Sequence, residues 1–330
     1  MNVQLANLHQ RRHTTCGDWA GGAFNQPNLT TIGVIAMPIE FSPVIAAKAH
    51  ASGGIFSVQS IDLEGLGERA SPFALLDTFR VSGRPFGPHP HAGFSAITYV
   101  FEDSKGALRS RDSLGNDLVV GPGGIVVLQA ARGALHEETP AEIGRELHGA
   151  QIYVNLSSKS KLAAPQTLWL EKSQVPEWRN GDGDRVRVLA GSFEGVSSPL
   201  APAEPFTLFD AGLHREISFS LEKDHNALVY VLAGDVAVRA AGRVQEVRGE
   251  QALALHGSGG RVTLKAAQPA HLLVLSGAEI REPIFAHGPF IMNDRSQIEA
   301  AVARYRSGGM GHLTPHGATG SQDANLAATS

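Results

Sequence analysis

Short apolar or half-apolar runs, separated by Gly, Pro, Asn and Asp, recur along most of the chain. Ile55–Asp62, Phe94–Phe101, Gly124–Leu128 and Ala150–Asn155 are such runs in the first half. Short strands at this spacing predict an all-β sandwich or barrel, because βαβ units would place helical periodicity between them. Asp112–Asn116 and Gly121–Gly124 supply turns where the backbone needs a positive or a fixed φ.

A second series begins near Asp184 with Arg185–Leu189, Glu216–Leu221, Ala227–Leu232, Gly234–Arg239 and His271–Leu275. Tyr99-Val-Phe-Glu-Asp103 and Tyr230-Val-Leu-Ala-Gly234 share a rhythm. This weak internal repeat predicts two similar barrels in tandem. The segment Leu156–Asp184, with Pro165 and Pro176, reads as the link between them. One helix is predicted near the end. Asn293 or Asp294 caps it, Ile298, Ala301, Val302 and Tyr305 recur at i, i+3, i+4 and i+7, and Gly308-Gly309 stops it. Its apolar stripe must be buried against a barrel. Residues 1–44 carry little pattern and read as an extension, and 317–330 read as a disordered polar tail.

Composition narrows the function classes. With 330 residues and 42% apolar content the chain can build two cores. The net charge of −4 and the lack of a basic stripe give nucleic-acid binding no electrostatic footprint. Cys16 is the only cysteine, so an internal disulfide and thiolate clusters are excluded and a reducing compartment is favoured. The run Thr31–Met37 is broken by Pro38 and Glu40 and is too short for a secretory signal. No long apolar span follows, so a soluble cytoplasmic protein without membrane contact is expected. Low aromatic content, 6%, and no obvious interface stripe predict a monomer.

Two segments carry the chemistry: Phe86-Gly-Pro-His89-Pro-His91-Ala-Gly-Phe94 and Ala134-Leu-His136-Glu-Glu138. Residues i and i+2 of a strand face the same way, so each segment aims two ligand groups in one direction. His89, His91, His136 and Glu138 converging from two strands would make an N₃O site for one divalent transition metal. Iron(II) is the first choice, with manganese, nickel, cobalt, copper and zinc behind it. A closed zinc site usually recruits thiolates, and a single cysteine cannot supply a cluster of them. Glu137 competes with Glu138, but strand alternation turns Glu137 to the opposite face. A single H-x-H is more often structural than a site; two i, i+2 pairs in one β-rich half shift the balance toward a site. His148 reads as structural, or as support for the site. His214, His225, His256 and His271 show no such pairing and read as surface or core residues. His312 and His316, in a Gly/Pro-rich stretch, read as solvated loop residues. Cys16 has no nearby base, and no serine elbow or phosphate-binding glycine loop is present.

The segments His89–Phe94, Arg111–Asn116 with Gly121–Gly123, Ala131–Pro140, His148–Leu156 and Glu282–Asn293 occur in an order that resembles the pirin family over roughly residues 45–312. The resemblance implies a bicupin. Two antiparallel cupin, or jelly-roll, barrels would lie in tandem, at 45–160 and 161–292. A helix and loop at 293–316 would pack back on the first barrel. It places the metal in the first barrel only, on His89, His91, His136 and Glu138. Similar family members are flavonol dioxygenases, commonly named quercetin 2,3-dioxygenases, which implies a flavonol-like substrate, O₂, and Glu138 as the catalytic base. Pirins are also described as transcriptional cofactors or modulators of metabolic enzymes, so the alternative is a metal-binding regulator with a protein partner. The chain departs from the family pattern at Ser95, where glutamate is frequent, at Ser110, usually histidine, and at Thr139, often methionine.

Overall fold

The computed structural model describes residues 39–316. Runs such as Ile125–Gln129 and His225–Ala233 are apolar at nearly every position because both faces of their sheets are covered. In the second run Ala227, Val229 and Val231 enter the core of one barrel, while Leu228 and Tyr230 enter the core between the two barrels.

The first barrel is a seven-stranded sheet facing a four-stranded one. The large sheet has the order Gln166–Leu170, Ile125–Gln129, Phe94–Val100, Leu147–Asn155, Phe73–Val81, Phe56–Ser60 and Lys48–Ser52. The small sheet has the order His89–His91, Ala134–Pro140, Leu108–Asp112 and Asp117–Val120. Val81, Val100, Val126 and Leu147 of the first meet Leu108 and Val120 of the second. The second barrel repeats the plan with an eight-stranded and a four-stranded sheet, filled by aliphatic side chains, Phe193 and Phe209. The large sheets of the two barrels pack against one another through Leu76, Ile97, Tyr99 and Ile152 on one side and Leu208, Tyr230, Leu273 and Leu275 on the other. This is the expected all-β bicupin.

Three short edge strands lie elsewhere than the sequence suggests. Glu40–Phe41 and Ile45–Ala46 pair with Gln251–His256 in the second barrel, and Gln166–Leu170 completes the first. A strand's own pattern states that it is half-buried, not which edge it joins. Residues 1–38 of the expected extension and the tail 317–330 lie outside the described residues.

The predicted helix forms over Arg295–Arg306, capped by Asp294, whose side chain accepts from the Gln297 N–H at 2.8 Å. Ile298 and Ala301 are buried with Ala92, Leu135, Phe290 and Met292, so the helix packs on the first barrel. The apolar stripe is narrower than predicted, since Tyr305 is 42% exposed. Among the described residues no helix is long and apolar enough to cross a membrane.

Candidate metal centre

His89–His91 is a three-residue edge strand whose partner is Ala134–Pro140, with His89 opposite His136 and His91 opposite Ala134. The antiparallel register and the two-residue side-chain period therefore bring His89, His91 and His136 together. Nε2 of His136 lies 2.9 Å from Nε2 of His91 and 3.1 Å from Nε2 of His89. One ligand nitrogen from each ring falls within 4.8 Å of the others, and no second group of three or more potential ligands occurs among the described residues. His91 and His136 are 1% and 3% exposed, and His89 is half-buried. Phe94 and Tyr153 pack on His91 at centroid distances of 5.0 and 5.5 Å, which walls that side with aromatic carbon.

Burial sets the charge state. It pushes the His89 and His136 imidazoles down to about 4 and holds His91 well below its ordinary value, so all three are neutral at pH 7. The mutual repulsion of neighbouring imidazolium charges adds to this for His89 and His91. Nδ1–H of His89 donates to the Gly87 carbonyl at 2.9 Å, which leaves the Nε2 lone pair facing the cluster. Neutral imidazoles with Nε2 lone pairs turned toward one point are what a divalent transition metal requires. Nε2 of His136 has one lone pair or one proton to offer and faces two other nitrogens; a cation would satisfy all three contacts together. The residues present fit a metal of this class.

Glu138 lies on the same strand face as His136, but its carboxylate stands outside the histidine cluster. Oε2 accepts from Thr98 Oγ1 at 2.6 Å, and Oε1 accepts from Ser110 Oγ at 3.3 Å. Burial raises its pKa, and the Thr98 hydrogen bond pulls the other way. Thr98 Oγ1 also lies 3.1 Å from Gln151 Oε1, and Gln151 is fixed by its own bond to the Ile97 carbonyl at 3.0 Å. Thr98 and Gln151 were not singled out from sequence, although Thr98 is the one hydroxyl on the inner face of Phe94–Val100. Glu137 points away, to Arg111 at 2.9 Å, as alternation requires.

The other histidines lie apart. His148 binds Asp103 at 2.7 Å, outside the cluster. His271 meets Asp210 at 2.5 Å at the junction of the barrels. His316 is not a free loop residue: its N–H donates to Glu137, and its ring lies 2.5 Å from Arg109 Nη1. A Gly/Pro-rich composition hides such a latch, because main-chain groups carry it.

Residues 58–154 match the family model described as Pirin, and 208–311 match the one described as Pirin C-terminal cupin domain. The chain is 31% identical to the human protein named Pirin over 274 residues, which is 81% of this chain and 89% of that one. A solved structure from Acinetobacter baumannii named Quercetin 2,3-dioxygenase superposes with a TM-score of 0.74 at 27% identity, covering 84% of this chain and all of that one. A bacterial pirin from Escherichia coli, solved in complex with nickel(II), shares the fold at a TM-score of 0.55 and 19% identity, over 72% of this chain and all of that one.

Proposed function

The chain belongs to the pirin family, and on that premise we propose that it is a metal-dependent dioxygenase that opens a flavonol ring with O₂. The observation that carries the reading is the meeting of three neutral Nε2 atoms inside the first barrel. The Acinetobacter baumannii structure named for quercetin dioxygenase has the same fold over its whole length, which supports the substrate class. His89, His91 and His136 would hold the metal, with iron(II) the first candidate. A bound divalent transition metal would supply Lewis acidity toward a chelating oxygen pair and access to O₂.

The chain's own residues supply the rest. His89 is the one half-buried member of the cluster, so substrate would approach from its side. Phe94 and Tyr153 close the far side and exclude water. Glu138 would accept the proton of the substrate 3-hydroxyl at a carboxylate oxygen. Its raised pKa brings it nearer to working pH, and Thr98 and Ser110 orient it. To serve also as the fourth ligand, the Glu138 carboxylate would have to reach the histidine cluster, and the bonds from Thr98 and Ser110 leave each oxygen a lone pair to do so.

The test is an oxygen-electrode assay with quercetin on protein of measured metal content. O₂ uptake and carbon monoxide release should rise in proportion to occupancy and vanish in His136→Ala. Fully loaded protein that consumes no O₂ with any flavonol would overturn the proposal.

A further inference from the structure

Glu137 sits between the two inward-facing side chains of its strand, faces the opposite way, and is 3% exposed. Its Oε2 accepts from Arg111 Nη1 at 2.9 Å. The main-chain N–H of His316 donates to its two oxygens at 2.9 and 3.1 Å. Arg111 Nη1 also donates to the Thr314 carbonyl at 3.0 Å. Further back, Ser113 Oγ donates to the Met310 carbonyl at 2.6 Å and accepts from the Leu135 N–H at 3.0 Å. Residues 310–316 thus run along the outside of the two strands whose inner faces carry His136, Glu138 and Ser110.

We infer that Glu137, clamped by Arg111 and by the backbone of residues 314–316, is a positioning residue for the metal site. The inference rests on the metal reading above. A buried carboxylate stripped of its partners is strongly destabilising, so strand and tail order together. Alternate side chains share one backbone, and a movement that frees Glu137 on the outside shifts His136 and Glu138 on the inside. Ligand sites tolerate about 0.5 Å of such displacement. The tail's contribution reaches the metal through the strand, without touching it.

The experiment is cobalt(II) titration of the full chain, of Glu137→Gln, and of a chain ending at Leu313. Glu137→Gln keeps the shape and one acceptor oxygen, so it should fold; the truncation removes the partner instead. Each variant should bind cobalt roughly 10–100-fold more weakly, the typical effect of losing a group that holds a ligand from behind. Each should also alter the cobalt d–d spectrum, and the double variant should be no worse than the weaker single. Unchanged affinity and spectrum would overturn the inference, as would a lowered melting temperature with the spectrum intact. If His136→Ala binds cobalt as well as the parent chain, the metal reading itself fails, and this inference falls with it.

Discussion

Arg187 of the second barrel places its Nη1 2.7 Å from the phenol oxygen of Tyr99 in the first. Tyr99 in turn donates to Asp210, whose other oxygen meets His271, and Arg187 Nη2 donates to the Gly123 carbonyl at 2.7 Å. Arg187 is 1% exposed, so this polar chain joins the two large sheets within an otherwise apolar junction. Arg187→Met removes the donor to Tyr99 and Gly123 and leaves Glu102 and Glu177 without its charge. A stability loss of about 3–5 kcal/mol is expected, as for other broken buried networks. Tyr99→Phe should cost less, about 1–3 kcal/mol. Urea midpoints at unchanged m-value measure both, and a loss under about 1 kcal/mol for Arg187→Met would contradict the assignment.

The buried imidazoles make the metal-free protein acid-sensitive in a defined window. His89 and His136 titrate at about 4 in the fold and near 6.5 in an unfolded chain. Above pH 6.5 neither state binds these protons, and the full stability is present. Between 6.5 and about 4 the unfolded chain takes up protons that the fold refuses. Stability then falls by about 1.4 kcal/mol per pH unit for each histidine. In His136→Gln the slope between pH 6 and 5 should be shallower by about one proton. An unchanged slope would show that His136 is not held neutral.

The histidine cluster was legible because strand alternation is local: H-x-H and H-E-E state which groups share a face wherever the strand goes. The helix was legible for the same reason, from Asp294 to Gly308. What depended on partners was not legible. Glu40–Phe41 reads as part of an extension and Gln166–Leu170 as part of a link, because such short edge strands carry little pattern and are fixed by the sheets they join. For Glu138, alternation fixes the face but not the rotamer, and the Thr98 hydrogen bond that sets the carboxylate's position lies on another strand. The latch of His316 on Glu137 spans 179 positions and is made by a main-chain N–H, which leaves no mark in composition.

The roles of Glu138 and Thr98 separate binding from turnover. Glu138→Gln keeps the shape and one acceptor but cannot take a proton at its amide. Turnover of flavonol should fall by about 10²–10⁴, the usual contribution of a positioned base. Cobalt affinity should change far less, since the three imidazoles remain. Thr98→Val removes a hydrogen bond to a carboxylate worth about 1.5 kcal/mol, so a roughly tenfold loss is expected. Parent-level turnover of Glu138→Gln at saturating metal would remove Glu138 from the chemistry.

Gly93 joins the strand His89–His91 to the sheet, and its backbone leaves no room for a side chain. It has φ +86°, and a Cβ there would lie 1.7 Å from the Ile291 carbonyl oxygen. Its N–H donates to the Ala131 carbonyl at 2.7 Å, and its carbonyl accepts from the buried Lys161 Nζ at 2.8 Å. The obstacle is backbone, so no rotamer change relieves it. Gly93→Ala must move either the Ile291 strand or the His91 corner. It should cost more than about 2 kcal/mol and weaken cobalt binding together with stability. Gly87→Ala is the matched control on the other side of the histidine pair. Nothing lies within 4 Å of its Cβ position, so stability should stay within about 0.5 kcal/mol. Should both variants behave alike in urea and in cobalt titration, the fixed corner at Gly93 would not be what aims His91.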